Sequence, residues 1–218
     1  MSVPIHSLFK PLWMNRRNGG RNVIKSSKAG ETSFTKTVFD GLNRSVVEYT
    51  ACVPGTAGVP TGDTNDVSGD TVSQQSETLY DNASNVLLTT KRKRMHNATG
   101  VGALQNLTTA STARVSFVAM WPDAIGLVRF TADYGTNGGT ALTRPSVASA
   151  SSDTVLVTIN RFKSDGEANA TIDPMGLETR WDNDHAGRQI CRSAMGVRRH
   201  CVTASYVRRA IAVFGFHG

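Results

Sequence analysis

The chain has 218 residues, 39% of them hydrophobic and 19% charged, with a formal net charge of +7. That is enough apolar material for a core and too little charge for a disordered chain, and no stretch approaches the ~18 apolar residues of a membrane-spanning helix. Three cysteines, Cys52, Cys191 and Cys201, are too few for a disulfide framework. The N-terminus lacks the apolar core of a signal peptide, so a reducing compartment is expected.

Residues 1–30 read as a basic arm. An apolar anchor (Ile5, Leu8, Phe9, Leu12, Trp13) precedes a stretch of cations mixed with Gly, Asn and Ser, which carries no clear period. Residues 31–218 read as one shell domain. "TSFTKTVFD" (32–40) and "RSVVEYTACV" (44–53) are rich in β-branched and aromatic residues and predict strands, with the "DGLN" between them as a hairpin turn. Residues 54–76, rich in Gly, Pro, Asp and Ser, predict a long exposed loop. Residues 77–90 fit helix or strand. Residues 113–121 and 125–133 predict two strands around a Pro-Asp turn, 134–152 a further loop, and 153–163 a strand whose Val155, Val157 and Ile159 face one way. "SDGEANATIDPMG" breaks that strand, and 198–218 predict one or two more. No long helical period and no internal repeat stands out. The predicted fold class is mainly β: a single antiparallel sandwich of jelly-roll type with short helices.

Charge is unevenly placed. The first 30 residues hold six cations (Lys10, Arg16, Arg17, Arg21, Lys25, Lys28) and no acid. Residues 188–218 hold six arginines and no acid, among them Arg192, Arg198, Arg199, Arg208 and Arg209. Between them "KRKR" sets Lys91, Arg92, Lys93 and Arg94 side by side. Like charge in one spot repels itself unless water or a polyanion faces it. These three groups are the candidate nucleic-acid-binding residues, giving salt-sensitive and sequence-independent affinity through phosphates. Trp13 is a candidate stacking ring. No helix-turn-helix, zinc-finger or RRM signature indicates base reading.

Other chemistries fail on their spacing. "WPD" at 121–123 and "HCVTASYVRR" at 200–209 resemble fragments of the protein tyrosine phosphatase family. That family needs Arg six places after the Cys, where this chain has Val207, and a glycine-bearing phosphate loop that is missing. Asp182, Asp184, His185, Cys191, His200 and Cys201 are rich in metal-ligand types, but Cys191 and Cys201 stand too far apart for a structural zinc pair. Asp63, Asp66 and Asp70 do not match a calcium loop, and an exposed acidic loop is expected. No Walker or G-x-S-x-G motif occurs. No enzyme activity, cofactor or metal is expected.

A basic arm ahead of a β domain rich in Thr, Ser, Gly and Val resembles, in layout and composition, the coat proteins of small icosahedral viruses. The resemblance implies a subunit that assembles in many copies, contacts the packaged RNA or DNA through its basic segments, needs no membrane, and resides in a virion assembled in the host cytoplasm or nucleus. The alternatives are a non-capsid nucleic-acid binder of silencing-suppressor or movement type, or a phage tail or tube protein.

Overall fold

The computed structural model describes residues 13–18, 22–28, 33–52, 66–105, 112–184, 188–194 and 200–201. The chain divides into two compact units, Met1–Ile159 and Asn160–Gly218, a division that falls inside the expected 31–218 domain. It is mainly β and antiparallel, and a single 3-10 turn, Asn137–Gly139, is the one helical element among the described residues.

The first unit contains β1 (Trp13–Asn18), β2 (Asn22–Lys28), β3 (Ser33–Phe39), β4 (Ser45–Cys52), β5 (Thr71–Tyr80), β6 (Val86–Arg94), β7 (Ala113–Pro122), β8 (Val128–Gly135) and the start of β9 (Leu156–Phe162). The second contains the end of β9, then β10 (Ala168–Ile172), β11 (Glu178–Asn183), β12 (Gln189–Ala194) and β13 (His200–Cys201). Within each unit the hydrogen-bonded order follows the sequence. A jelly roll instead needs crossing connections that place non-consecutive strands side by side. The described strands form a meander, because each is joined to the next by a connection that returns it directly alongside.

Three further expectations are corrected. The loop predicted over 54–76 ends early: β5 begins at Thr71, opposite Cys52, and Val72 is fully buried. The ambiguous stretch 77–90 is strand, turn, strand, and β6 continues through the "KRKR" run. The stretch expected to break the strand at 153–163 folds back as β10, closing a turn in which the Lys163 amide donates to the Glu167 carbonyl.

The turns carry a repeat that sequence reading misses. At Asp40, Asp81 and Asp123 the chain makes the same five-residue reversal. The Asp amide donates to the carbonyl four residues on, and the fourth residue's amide donates back to the Asp carbonyl. The Asp carboxylate accepts the amide of the fifth residue, at Arg44, Asn85 and Leu127. The fourth residue takes positive φ: Asn43 at 62°, Ser84 at 68° and Gly126 at 87°. Since β3, β5 and β7 run parallel to one another in the meander, these turns line one end of the sheet. β4, β6 and β8 end at the other, where the described connecting residues 66–70, 95–105 and 136–155 lie. Arg44 ties the first turn to the second by donating to the Asp81 carbonyl at 2.7 Å, with its guanidinium 4.7 Å from the Tyr80 ring centre.

The third turn packs against the second. A Cβ added at Gly126 would stand 2.9 Å from Asn85 Oδ1, in a left-handed conformation. Gly126→Ala is therefore expected to destabilise the first unit by about 1–3 kcal/mol, read as a lower urea midpoint with unchanged slope. An unchanged midpoint would show that the turn adapts.

The same carboxylates set an acid limit. Asp40 is held below its ordinary range chiefly by the Arg44 amide, and Asp81 chiefly by the Asn85 side-chain amide. At Asp123 burial acts upward, but the Leu127 and Ile125 amides and Arg129 together outweigh it. A depressed folded value gives stability that is fully present above the ordinary carboxylate pKa of about 3.9 and is lost as pH falls through the folded value. The urea midpoint is expected to stay level from neutral pH to about pH 4 and fall below it; a level midpoint below that point would exclude these carboxylates as contributors.

Candidate nucleic-acid interface

Strand periodicity decides what the "KRKR" run can do, because successive side chains point to opposite faces of a sheet. β6 enters with Leu88 and Thr90 on the covered face, so Arg92 also points there, and Lys91 and Lys93 point to the other face. Exposure follows this alternation: Lys91 and Lys93 are exposed, Arg92 and Arg94 half-buried.

The two arginines are engaged inside the fold. Arg92 Nη1 pairs with the Glu77 carboxylate from β5. Arg94 Nη1 donates to the Val72 carbonyl at 3.2 Å and Nη2 to the Gly100 carbonyl at 2.5 Å, pinning the 95–100 connection against β5.

The lysines belong to a different surface. Lys93 stands directly opposite Arg114 of β7, and Lys91 opposite Ser116. Across β5, the neighbours are Gln74 for Lys93 and Ser76 for Lys91, and beyond them lie Thr50 and Glu48 of β4. A shallow concavity of about 750 Å³ runs over this patch, bounded at one side by Gly135 and Thr136. Like charges facing each other across a strand pair, with Cβ atoms about 4.5–5.5 Å apart, repel. Among the described residues no carboxylate pairs with Lys91, Lys93 or Arg114; Glu48 is separated from Lys91 by the whole of β5. An anion laid along the three would relieve the repulsion. Sequence reading missed Arg114, because its neighbours in sequence are apolar and uncharged; only the register brings it to Lys93.

The other expected basic segments are placed less completely. Arg16, Arg17, Lys25 and Lys28 lie on β1 and β2, with Arg16 opposite Lys25 and Lys25 opposite Lys36 in the backbone register. Arg192 on β12 is exposed. Lys10, Arg21, Arg198, Arg199, Arg208 and Arg209 lie outside the described residues.

The alternative chemistries are also located. "WPD" is the third hairpin turn: Trp121 Nε1 donates to the Pro145 carbonyl at 3.2 Å, and Asp123 binds its own turn and Arg129. The register sets Cys191 opposite both Asp182 and Cys201. Among the described residues no cluster of three metal-ligating side chains occurs. Asp66 caps its own turn through Ser68. Asp70, expected in an exposed acidic loop, is instead 3% exposed and pairs with the equally buried Lys36 at 2.5 Å.

No family model matches the sequence, and no curated protein does. Similar solved structures include the crystal structure of TcdB2-TccC3-Cdc42, at 13% identity and a TM-score of 0.40 over 88% of this chain and 9% of that one. A crystal structure of TcdB2-TccC3 gives 11% identity and a TM-score of 0.37 over 88% and 10%. The Photorhabdus luminescens Tc holotoxin pore gives 12% and 0.29 over 88% and 12%. This chain thus spans about a tenth of the length of the structures it matches. At such scores the similarity carries over neither fold nor function.

Proposed function

We propose that the chain is a non-enzymatic β-sheet protein that holds a nucleic acid on the exposed face of its first unit, through phosphate contacts and without reading bases. The observation that supports this most directly is the trio Lys91, Lys93 and Arg114, which has no carboxylate partner among the described residues and of which two face each other across β6 and β7. The surrounding Thr, Ser and Gln side chains add hydroxyl and amide donors for phosphate and sugar oxygens, and among the described residues lining this surface none is aromatic. The test is binding of labelled single-stranded RNA and duplex DNA to the purified chain over a salt series. Affinity is expected to fall linearly on a logarithmic salt scale, with little preference for sequence. Absence of binding at low salt would overturn the reading.

The wider form of this proposal is the coat-protein role, in which many copies form a shell around the genome. It rests on charge layout and composition, and it takes no support from a jelly-roll strand order. Electron microscopy of the purified protein, with the 260/280 nm absorbance ratio of the same fraction, tests it. Closed particles with a high ratio are expected; small species with a low ratio would remove the shell and leave the free binder.

A further inference from the structure

Two of the chain's three cysteines meet across one strand pair. In the second unit the register sets Cys191 of β12 directly opposite Cys201 of β13, although nine residues separate them in sequence. Directly opposed residues of antiparallel strands have Cα atoms about 5.5 Å apart where they exchange hydrogen bonds and about 4.5 Å apart where they do not. A disulfide joins Cα atoms about 4.4–6.8 Å apart, so either kind of opposition suits one. The third cysteine is placed differently. Cys52 is a free, half-buried thiol at the end of β4 in the first unit, donating to the Thr71 carbonyl at 3.7 Å.

The join between β12 and β13 is slight. Among the described residues it consists of two pairs, Cys191 with Cys201 and Arg192 with His200, against five between β11 and β12. Short terminal pairings open at little cost in free energy. A covalent bond at one of the two pairs therefore decides whether β13 stays on the sheet. The surroundings are open to a small reagent: Asp182, opposite Cys191 on β11, is exposed, and so are Gln189 and Arg192 on β12.

We propose that Cys191 and Cys201 are a redox modification site, forming a reversible cross-strand disulfide that fastens β13 to β12. The oxidant is a small disulfide of the glutathione class. The thiolate of one cysteine attacks a sulfur of that disulfide, leaving a mixed disulfide and releasing one glutathione. The thiolate of the other cysteine attacks the protein sulfur of the mixed disulfide, forming the S–S bond and releasing the second glutathione. Two electrons and two protons pass from the protein to the two glutathiones. A reversible pair agrees with a reducing compartment, where protein disulfides are transient or redox-sensing and seldom structural. Oxidation also ties together the two ends of the segment whose sequence carries Arg192, Arg198 and Arg199. The site lies in the second unit and does not depend on the nucleic-acid reading of the first.

The purified full chain is equilibrated in glutathione buffers of rising oxidised fraction, both folded and in concentrated urea. Free thiols are then blocked with N-ethylmaleimide in denaturant, and the chain is digested with trypsin for mass spectrometry. The folded chain is expected to yield residues 189–192 joined to residues 200–208 by a disulfide, which excess reduced glutathione removes, while Cys52 carries the maleimide. The equilibrium constant for this bond is expected to be at least about threefold above that in urea, because the register holds together two residues that an unfolded chain must bring together by loop closure. Amide hydrogen exchange over 189–201 is expected to slow on oxidation in the native sequence and to stay unchanged in Cys201→Ser. Glutathione adducts in place of the bond, pairing with Cys52, full blocking of all three cysteines, or a bond no more favourable folded than in urea would overturn the site. Exchange that oxidation leaves unaltered would overturn the fastening of β13.

Discussion

Asp70→Asn is expected to destabilise the first unit by about 3–5 kcal/mol, the usual cost of leaving one member of a buried ion pair uncompensated. Lys36 is 1% exposed; its ammonium meets the Asp70 carboxylate and the Asp66 carbonyl and lies 5.3 Å from the Phe34 ring centre. An asparagine amide supplies no compensating charge, so the lysine is left as an uncompensated buried charge that draws water into the cluster of Phe34, Val67 and Val72. The double replacement Lys36→Met with Asp70→Leu removes both charges and keeps apolar volume. It is expected to recover most of the loss, because well-packed apolar residues often replace a buried pair at little or no cost. Chemical denaturation of the three proteins checks this. A small effect in Asp70→Asn would mean that water already reaches the lysine.

The second large effect separates the four adjacent cations of "KRKR". Replacing Lys91, Lys93 and Arg114 with Gln is expected to lower nucleic-acid affinity and to flatten the salt dependence by roughly two to three units of slope, since each phosphate left without its cation removes about 0.9 on duplex DNA. Replacing Arg92 and Arg94 with Gln removes nearly as much charge from the same stretch but is expected to leave the slope almost unchanged. Its effect falls on stability, since Arg94 gives up its bonds to three backbone carbonyls and Arg92 leaves Glu77 unpaired. Equal flattening by both sets would indicate binding to an unfolded or loosely placed segment, and no change in either would take this face out of the interface.

What the sequence makes legible follows from how local each signal is. The strands with β-branched and aromatic alternation, 33–39, 45–52 and 113–122, are readable, as is the Asp-Gly turn at Asp40. The same turn at Asp81 and Asp123 is hidden, because its tips, Asn-Ala-Ser and Ala-Ile-Gly, share no common pattern with Gly-Leu-Asn; what the three share is an aspartate that accepts its own backbone and a fourth residue at positive φ. The start of β5 is hidden for a different reason. Between Thr71 and Ser76 only Val72 is apolar, and polar residues that pack beneath a covering turn look like loop. The basic run is conspicuous as charge, but its division between two faces depends on register, fixed by Leu88 and Thr90 upstream. The Lys36–Asp70 pair joins residues 34 apart, beyond any local pattern.

The sequential strand order also bears on how the chain reaches this structure. The ladders closed by the short turns at Asp40, Asp81 and Asp123 bring together strands that follow one another within a few residues, whereas β4–β5, β6–β7 and β8–β9 are joined through much longer connections. Contacts of short sequence separation form fastest, so the short-turn hairpins are the natural starting points. The turn at Asp40, cross-braced by Arg44 to its neighbour at Asp81, is positioned to nucleate two hairpins together, from which the sheet can extend by adding one strand at a time on either side.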